Sequence, residues 1–215
     1  RPPRSTLFPY TTLFRSTIHD FGGFPKELYE IQYPAPGMPQ LAEEVKNITI
    51  SSEVTLNEKW GLDHGAWTVI RPMYPKADIP VIQLSLDYHK NPQQHYDLAK
   101  ELYQLRYKGV LIVGSGNMVH NLGKVDWRKL DENFGFDWTL EANDRMKQFI
   151  SDGNHQSLLN YSKLGKAFEL SIPTPEHYLP LLYSLALQDK NDKVEFFNDA
   201  PVGGSLTMTS VQIGN

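Results

Sequence analysis

The chain contains no cysteine, so disulfide scaffolds, thiolate metal sites and cysteine nucleophiles are excluded together. It has no uninterrupted apolar run near the roughly 20 residues that a membrane-spanning helix needs. It also lacks a basic block: 21 Lys and Arg stand against 25 Asp and Glu, a formal net charge of −4, which argues against a phosphate backbone as partner. With only 15 Gly and 15 Pro in 215 residues, collagen-like and linker compositions are out. No nucleic-acid partner and no membrane are expected. What is present is 40% hydrophobic and 12% aromatic residues, enough for the core of one ordinary domain. The composition predicts a soluble, cytoplasmic domain whose metal or proton chemistry falls to His, Asp and Glu.

Residues 1–16, RPPRSTLFPYTTLFRS, differ from the rest. They carry a near-repeat and no acid, and no apolar core of a signal peptide follows the basic start. The segment resembles a translated sequencing-adapter scar and is read as a non-native leader. The catalytic domain is expected over 17–215.

Turn-rich punctuation dominates residues 17–39, around short helices predicted at 26–31 and 40–46. Helical spacing over 65–73 stops at Tyr74-Pro75, with Pro72 weakening the last turn. Residues 79–86 (IPVIQLSL) are β-rich and predict a strand. An amphipathic helix is predicted over 93–107, with Tyr96, Ala99, Leu102, Tyr103 and Leu105–Arg106 around its buried face and Gly109 ending it. The run VLIV at 110–113 does not alternate, which predicts a strand covered on both faces. Further helices are expected over 137–150, 155–164 and 175–187, the last capped by Thr174, and a closing strand over 205–213. Strands and helices alternate, so the predicted class is α/β, a three-layer α/β/α single domain around a central mixed sheet.

The chain has seven histidines and no short metal motif such as H-E-x-x-H. His95 falls on the polar side of its helix and reads as a solvated residue; His89 and His155 read as equally bland. His120 follows the apolar run and a Gly-Ser-Gly-Asn turn, at the carboxyl end of a predicted strand, where ligands gather in open α/β sheets. His177 is placed in the first turn of its helix, where the dipole disfavours imidazolium. His64 follows Asp63 between Trp60 and Trp67, and His19 lies in a Gly- and Phe-rich stretch. Packing roles for all four compete with a site. Ser115 does not sit in G-x-S-x-G, which argues against a serine hydrolase.

The blocks T-I-H-D-F-G-G-F-P, Y-P-A-P-G, W-G-L-D-H-G-A-W, I-P-V-I-Q-L-S-L-D, S-G-N-M-V-H-N-L, P-T-P-E-H-Y-L-P-L-L-Y and G-S-L-T-M-T-S-V-Q-I-G occur in this order. Together they resemble the DOPA extradiol dioxygenase family, within the class III (LigB-type) ring-opening dioxygenases. The resemblance runs from Thr17 to Gly214. It implies a divalent metal, Fe(II) for catalysis with Zn(II) as the alternative, and a DOPA-like catechol and O2 as substrates. It implies His177 and His120 as metal ligands, His120 also as general base, and His64 as a further active-site residue. His19, Asp63, Trp60, Trp67 and Asn117 are candidates for the substrate pocket.

The family's two early ligand segments, H-G-S-P and A-H-W, are not in this sequence. The sheet is accordingly expected to lack its first strand or strands, and this fragment to bind Fe(II) weakly and to be inactive. The rings of His120 and His177 are expected within about 8 Å of each other, given metal–nitrogen bonds of about 2 Å. His64 is expected to face the same cavity, with Trp60 or Trp67 in its wall. The rival readings are a non-enzymatic binding protein on the same fold and a metal-dependent hydrolase. A binder needs no convergence of histidines, and a hydrolase would carry an Asp/Glu-rich ligand set.

Overall fold

A computed structural model describes residues 16–57 and 60–214; apart from Ser16, the leader predicted at 1–16 lies outside the described residues. Within the stretch read as one catalytic domain there are two compact units, one reaching to His89 and one starting at Lys90.

In the first unit the helices are α1 (Lys26–Tyr29), α2 (Pro39–Ile48) and α3 (His64–Met73). The Asp63 side chain caps α3 by accepting the Ala66 N–H at 2.9 Å. Trp67 and Ile70, one face of α3, pack with Tyr33, Ala35 and Leu62 as the core of this unit. The chain entering at Thr17 is tied to it by a parallel bridge to Leu62, with Ile18 N–H donating to the Leu62 carbonyl at 2.7 Å. Residues 79–86 form no strand: no described residue makes a ladder with the segment, and Pro80 has no N–H to offer one.

The second unit opens on α4 (Pro92–Glu101), started by a reciprocal capping box between Asn91 and Gln94. A 3-10 turn over Tyr103–Lys108 continues it to Gly109, whose φ of 72° is the left-handed conformation that ends helices. The buried stripe of α4 is His95, Leu98, Ala99 and Leu102, at the spacing of one helix face. Ala99, Leu102 and Leu105 are buried as expected, Tyr96, Tyr103 and Arg106 only partly, and His95, expected to be solvated, is fully buried. Its Nδ1 meets the Tyr183 hydroxyl at 3.0 Å, so a polar ring can occupy an apolar stripe.

Then follow α5 (Asp137–Ser151), α6 (His155–Leu159), α7 (Lys166–Ser171) and α8 (Leu179–Ala186), with α8 packed along α4. Helix α7 was not expected. The strands are β1 (Lys193–Phe197), β2 (Pro201–Val202), β3 (Leu206–Thr207) and β4 (Ser210–Gly214). They pair antiparallel as β1 with β4, Lys193 opposite Gly214, and β2 with β3, Pro201 opposite Thr207. The predicted closing strand is thus two short strands of different sheets.

The class is α/β, with helices and small sheets. The run at 110–113 makes no ladder with any described residue, and Leu111 and Val113 are 62% and 43% exposed, so the expected cover on both faces is missing among the described residues. Apolar β-branched composition favours extension, but a strand exists only when a second one accepts its hydrogen bonds. No described helix is long and apolar enough to cross a membrane.

Candidate active site

The second unit holds two imidazoles face to face. The His120 and His177 ring centroids are 3.6 Å apart with planes inclined by 17°. Each ring is set by its backbone. The His120 N–H donates to the Ser171 carbonyl at 2.9 Å, and the Asn121 N–H to the Ser205 carbonyl at 3.1 Å. Ser205 Oγ donates back to the Asn121 carbonyl, and Asn121 Nδ2 reaches the Leu170 carbonyl at 2.7 Å.

His177 does not lie in a helix, as the sequence reading had it, but in the turn before α8. The reason is Pro180, which has no N–H to bond the Glu176 carbonyl and so prevents the α-ladder from starting earlier. Thr174 does not cap the helix; its hydroxyl donates to Glu176 Oε1 at 2.7 Å. The freed His177 carbonyl accepts the Asn117 N–H at 2.8 Å, and Asn117 Nδ2 donates to the Thr207 carbonyl at 2.8 Å. Asn117 therefore ties the backbone of the pair together. Next to it, a Cβ on Gly116 would lie 2.1 Å from the His177 carbonyl oxygen, a contact that only glycine avoids.

The pair opens on a cleft of about 330 Å³ lined also by Asn121, Pro173, Thr174 and Glu176. Burial, reinforced by His177 alongside, pushes the His120 pKa down to about 4, while the Glu176 carboxylate acts in the opposite sense. His120 is therefore neutral near pH 7 and holds a lone pair available to accept a proton.

In the first unit, His64 belongs to an aromatic group centred on Phe21. The Phe21 ring lies 5.6 Å from His64, 5.9 Å from His19, 5.0 Å from Tyr29 and 6.2 Å from Trp67. One oxygen of Asp20 accepts both the His64 backbone N–H at 3.0 Å and its ring Nδ1–H at 2.8 Å. His19 Nε2 donates to the Ile31 carbonyl at 2.9 Å, and the Trp67 indole N–H to the Ile18 carbonyl at 3.0 Å. Asp63 is engaged twice, as the α3 cap and as acceptor from Gln83 Nε2 at 2.6 Å. Trp67 is buried and Trp60 partly so. Sequence reasoning passed over Asp20, because no spacing rule links it to a histidine 44 positions away.

The profile of the catalytic LigB subunit of aromatic ring-opening dioxygenase matches residues 9–208. The chain belongs to the LigB family. It is 43% identical over 202 residues to 4,5-DOPA dioxygenase extradiol of Escherichia coli K12, covering 92% of this chain and 73% of that one. It is 35% identical over 205 residues to 4,5-DOPA dioxygenase extradiol of Beta vulgaris, covering 90% and 72%. The crystal structure of an uncharacterized protein of Escherichia coli K12 superposes with a TM-score of 0.83 at 36% identity, covering 98% of this chain and 81% of that one. As a LigB-family protein the chain is an extradiol ring-opening dioxygenase, and the binding-protein and hydrolase readings fall away.

LigB-type extradiol dioxygenases are non-haem metal enzymes. The residues described here do not fit a metal as they are placed. Imidazole lone pairs lie in the ring plane, so two stacked, nearly parallel rings hold theirs in separate planes, whereas ligands about 2 Å from one ion must aim at one point. Among the described residues no three His, Asp or Glu are grouped to hold an ion. One of the two rings has to turn before the pair can share one.

Two other histidines are structural. His155 Nε2 donates to Gln188 Oε1 at 2.8 Å, which leaves Nδ1 to accept the Tyr96 hydroxyl at 2.8 Å. His89 sits in an exposed turn whose backbone N–H donates to Asp87 Oδ1.

Proposed function

We propose that the chain, supplied with Fe(II) in large excess, opens the ring of a DOPA-like catechol outside the diol with His120 as the general base, a reading that departs from the inactivity expected above. The observation that carries this reading is His120 stacked on His177 in an open cleft, where burial disfavours its protonation. A catechol hydroxyl gives its proton to His120, and the proton returns to the ring-opened product. The carbon–carbon bond beside the diol breaks and both atoms of O2 enter the product, a muconic semialdehyde. Because burial disfavours imidazolium at His120, the proton is held briefly; the Glu176 carboxylate offsets part of that penalty.

His64 is proposed as a second catalytic imidazole that steadies developing negative charge on oxygen. His19, Asp63, Trp60, Trp67 and Asn117 remain pocket candidates, although Asn117 and Asp63 spend their side chains on internal hydrogen bonds. Fe(II) is the proposed metal and Zn(II) the alternative. His177 and His120 are its proposed donors after reorientation.

The test is oxygen uptake by the purified chain with Fe(II) in large excess, using DOPA and unsubstituted catechol, with the ring-opened product followed by its absorbance. Stoichiometric oxygen uptake with DOPA supports the reading. Uptake that yields an intradiol product, or none with any catechol, overturns it.

A further inference from the structure

We propose that Asp20 is a positioning residue that locks His64 in the Nδ1–H tautomer and so presents Nε2 as the free ring nitrogen. The inference rests on the reading of His64 as a catalytic imidazole. Asp20 Oδ1 accepts two hydrogen bonds from that one residue, the backbone N–H at 3.0 Å and ring Nδ1 at 2.8 Å. An ionised carboxylate has only acceptors, so the ring nitrogen facing it must carry the proton. Burial alone would raise the Asp20 pKa, but the hydrogen bonds and charge of His64 bring it below the ordinary value, which keeps the carboxylate ionised near neutral pH.

The backbone bond fixes where the oxygen sits, and the ring bond fixes which way the imidazole faces. Phe21, edge-on to the ring at 5.6 Å, restricts it further. Other polar groups nearby are occupied elsewhere. Asp63 is held by Ala66 and Gln83, and His19 donates to Ile31. The His64 side chain is nevertheless 45% exposed, so its held edge is Nδ1 and a ligand can reach the ring. Free neutral imidazole of histidine favours the opposite tautomer, with the proton on Nε2. A histidine meant to accept a proton or a hydrogen bond through Nε2 needs a partner of this kind, as histidines oriented by a carboxylate do elsewhere.

The tautomer is read directly from long-range proton–nitrogen correlations of the metal-free, 15N-histidine-labelled full chain, the His64 signals being assigned by their loss in His64→Gln. Neutral His64 is expected as Nδ1–H in the unsubstituted chain and in Asp20→Asn, whose amide oxygen can take both bonds. In Asp20→Ala it is expected to shift toward Nε2–H. With Fe(II) in excess, Asp20→Ala should lower kcat by about 10- to 100-fold, the range for loss of an orienting partner, with KM little changed and Asp20→Asn largely restored. A purely structural Asp20 would lower the melting temperature without moving the tautomer. Nε2–H in the unsubstituted chain, or Nδ1–H persisting in Asp20→Ala, overturns the inference. So does full turnover by Asp20→Ala when His64→Gln is slow. Full turnover by His64→Gln instead overturns the catalytic reading of His64 itself, and the tautomer signals tell the two failures apart.

Discussion

His120 and His177 stack at 3.6 Å, and a charge on His177 makes protonation of His120 unfavourable. His120→Gln keeps a polar group of similar size but cannot accept a proton as a base. Turnover at saturating Fe(II) is expected to fall by about 10²- to 10⁴-fold, the usual contribution of a general base. The melting temperature should change little, because the bonds that hold this segment are made by the backbone. Steady-state oxygen uptake and thermal unfolding measured on the same preparation check both statements.

Gly116 sets the separation of the two segments that carry these rings. A methyl group there meets the His177 carbonyl at 2.1 Å, so Gly116→Ala must push the 177 turn away and break the bond from the Asn117 N–H. The cost is expected at about 1–3 kcal/mol, as for other overpacked sites, with a large loss of turnover. Gly123 also lines the cleft, but a Cβ there meets only Asn121 Oδ1 at 3.4 Å. Gly123→Ala should therefore leave both stability and rate near those of the unsubstituted chain. Equal effects at the two positions would remove Gly116 from its positioning role.

Much of the helical framework was legible because its signals are local. Helical spacing over 65–73 and 93–107 was readable, and Gly109 ends the turn after α4, whereas the Asp63 cap of α3 and the Asn91–Gln94 box of α4, although equally local, were passed over. The resemblance named His120 and His177, but the stacking of their rings is a tertiary fact that no spacing contains. His95 was misplaced because its burial depends on one hydroxyl, that of Tyr183, 88 positions away. The runs at 79–86 and 110–113 have the composition of strands, yet composition cannot say whether a partner strand lies alongside. The start of α8 was misread because Thr174-Pro175-Glu176 imitates a helix start, while the deciding residue, Pro180, lies farther along.

Arg106 and Asp192 hold the end of the α4 region to the segment after α8. Arg106 Nη2 donates to Asp192 Oδ1 at 2.8 Å and Nη1 reaches Oδ2 at 2.7 Å, with the Asp192 side chain only 5% exposed. Arg106 also donates to the Leu187 carbonyl. The hydrogen bond from Arg106 holds the Asp192 carboxyl below its ordinary 3.8. The unfolded chain therefore takes up this proton first as the pH falls. The stability contributed by the pair is complete above the ordinary value and is lost as the pH drops through the depressed one. Asp192→Asn should cost about 2–3 kcal/mol at pH 7, since it leaves a largely enclosed guanidinium without its counter-charge. The gap between the two proteins should narrow in acid, below about pH 4. Urea unfolding at pH 7, 5 and 3.5 gives the comparison, and a gap that stays constant would mean the pair is not ionised as described.

Iron affinity follows from the orientation of the stacked rings. Two imidazoles whose lone pairs lie in separate, nearly parallel planes offer an ion one good bond at a time, and rotating a ring to gain the second gives up the stack and part of its packing. With no third His, Asp or Glu grouped beside them among the described residues, the chain also lacks the preorganisation that makes mononuclear sites tight. The 215-residue chain is therefore expected to leave most Fe(II) free at equimolar micromolar concentrations under anaerobic titration. Binding should weaken as the pH falls through about 4, where protons compete with the metal for the His120 imidazole nitrogen. Replacing His177 with Ala should weaken the residual binding further, while His155→Ala, whose ring nitrogens are both hydrogen-bonded within the fold, should not. Saturation by a single equivalent of iron would contradict the stacked arrangement as the resting state and would require the two rings to be splayed around an ion instead.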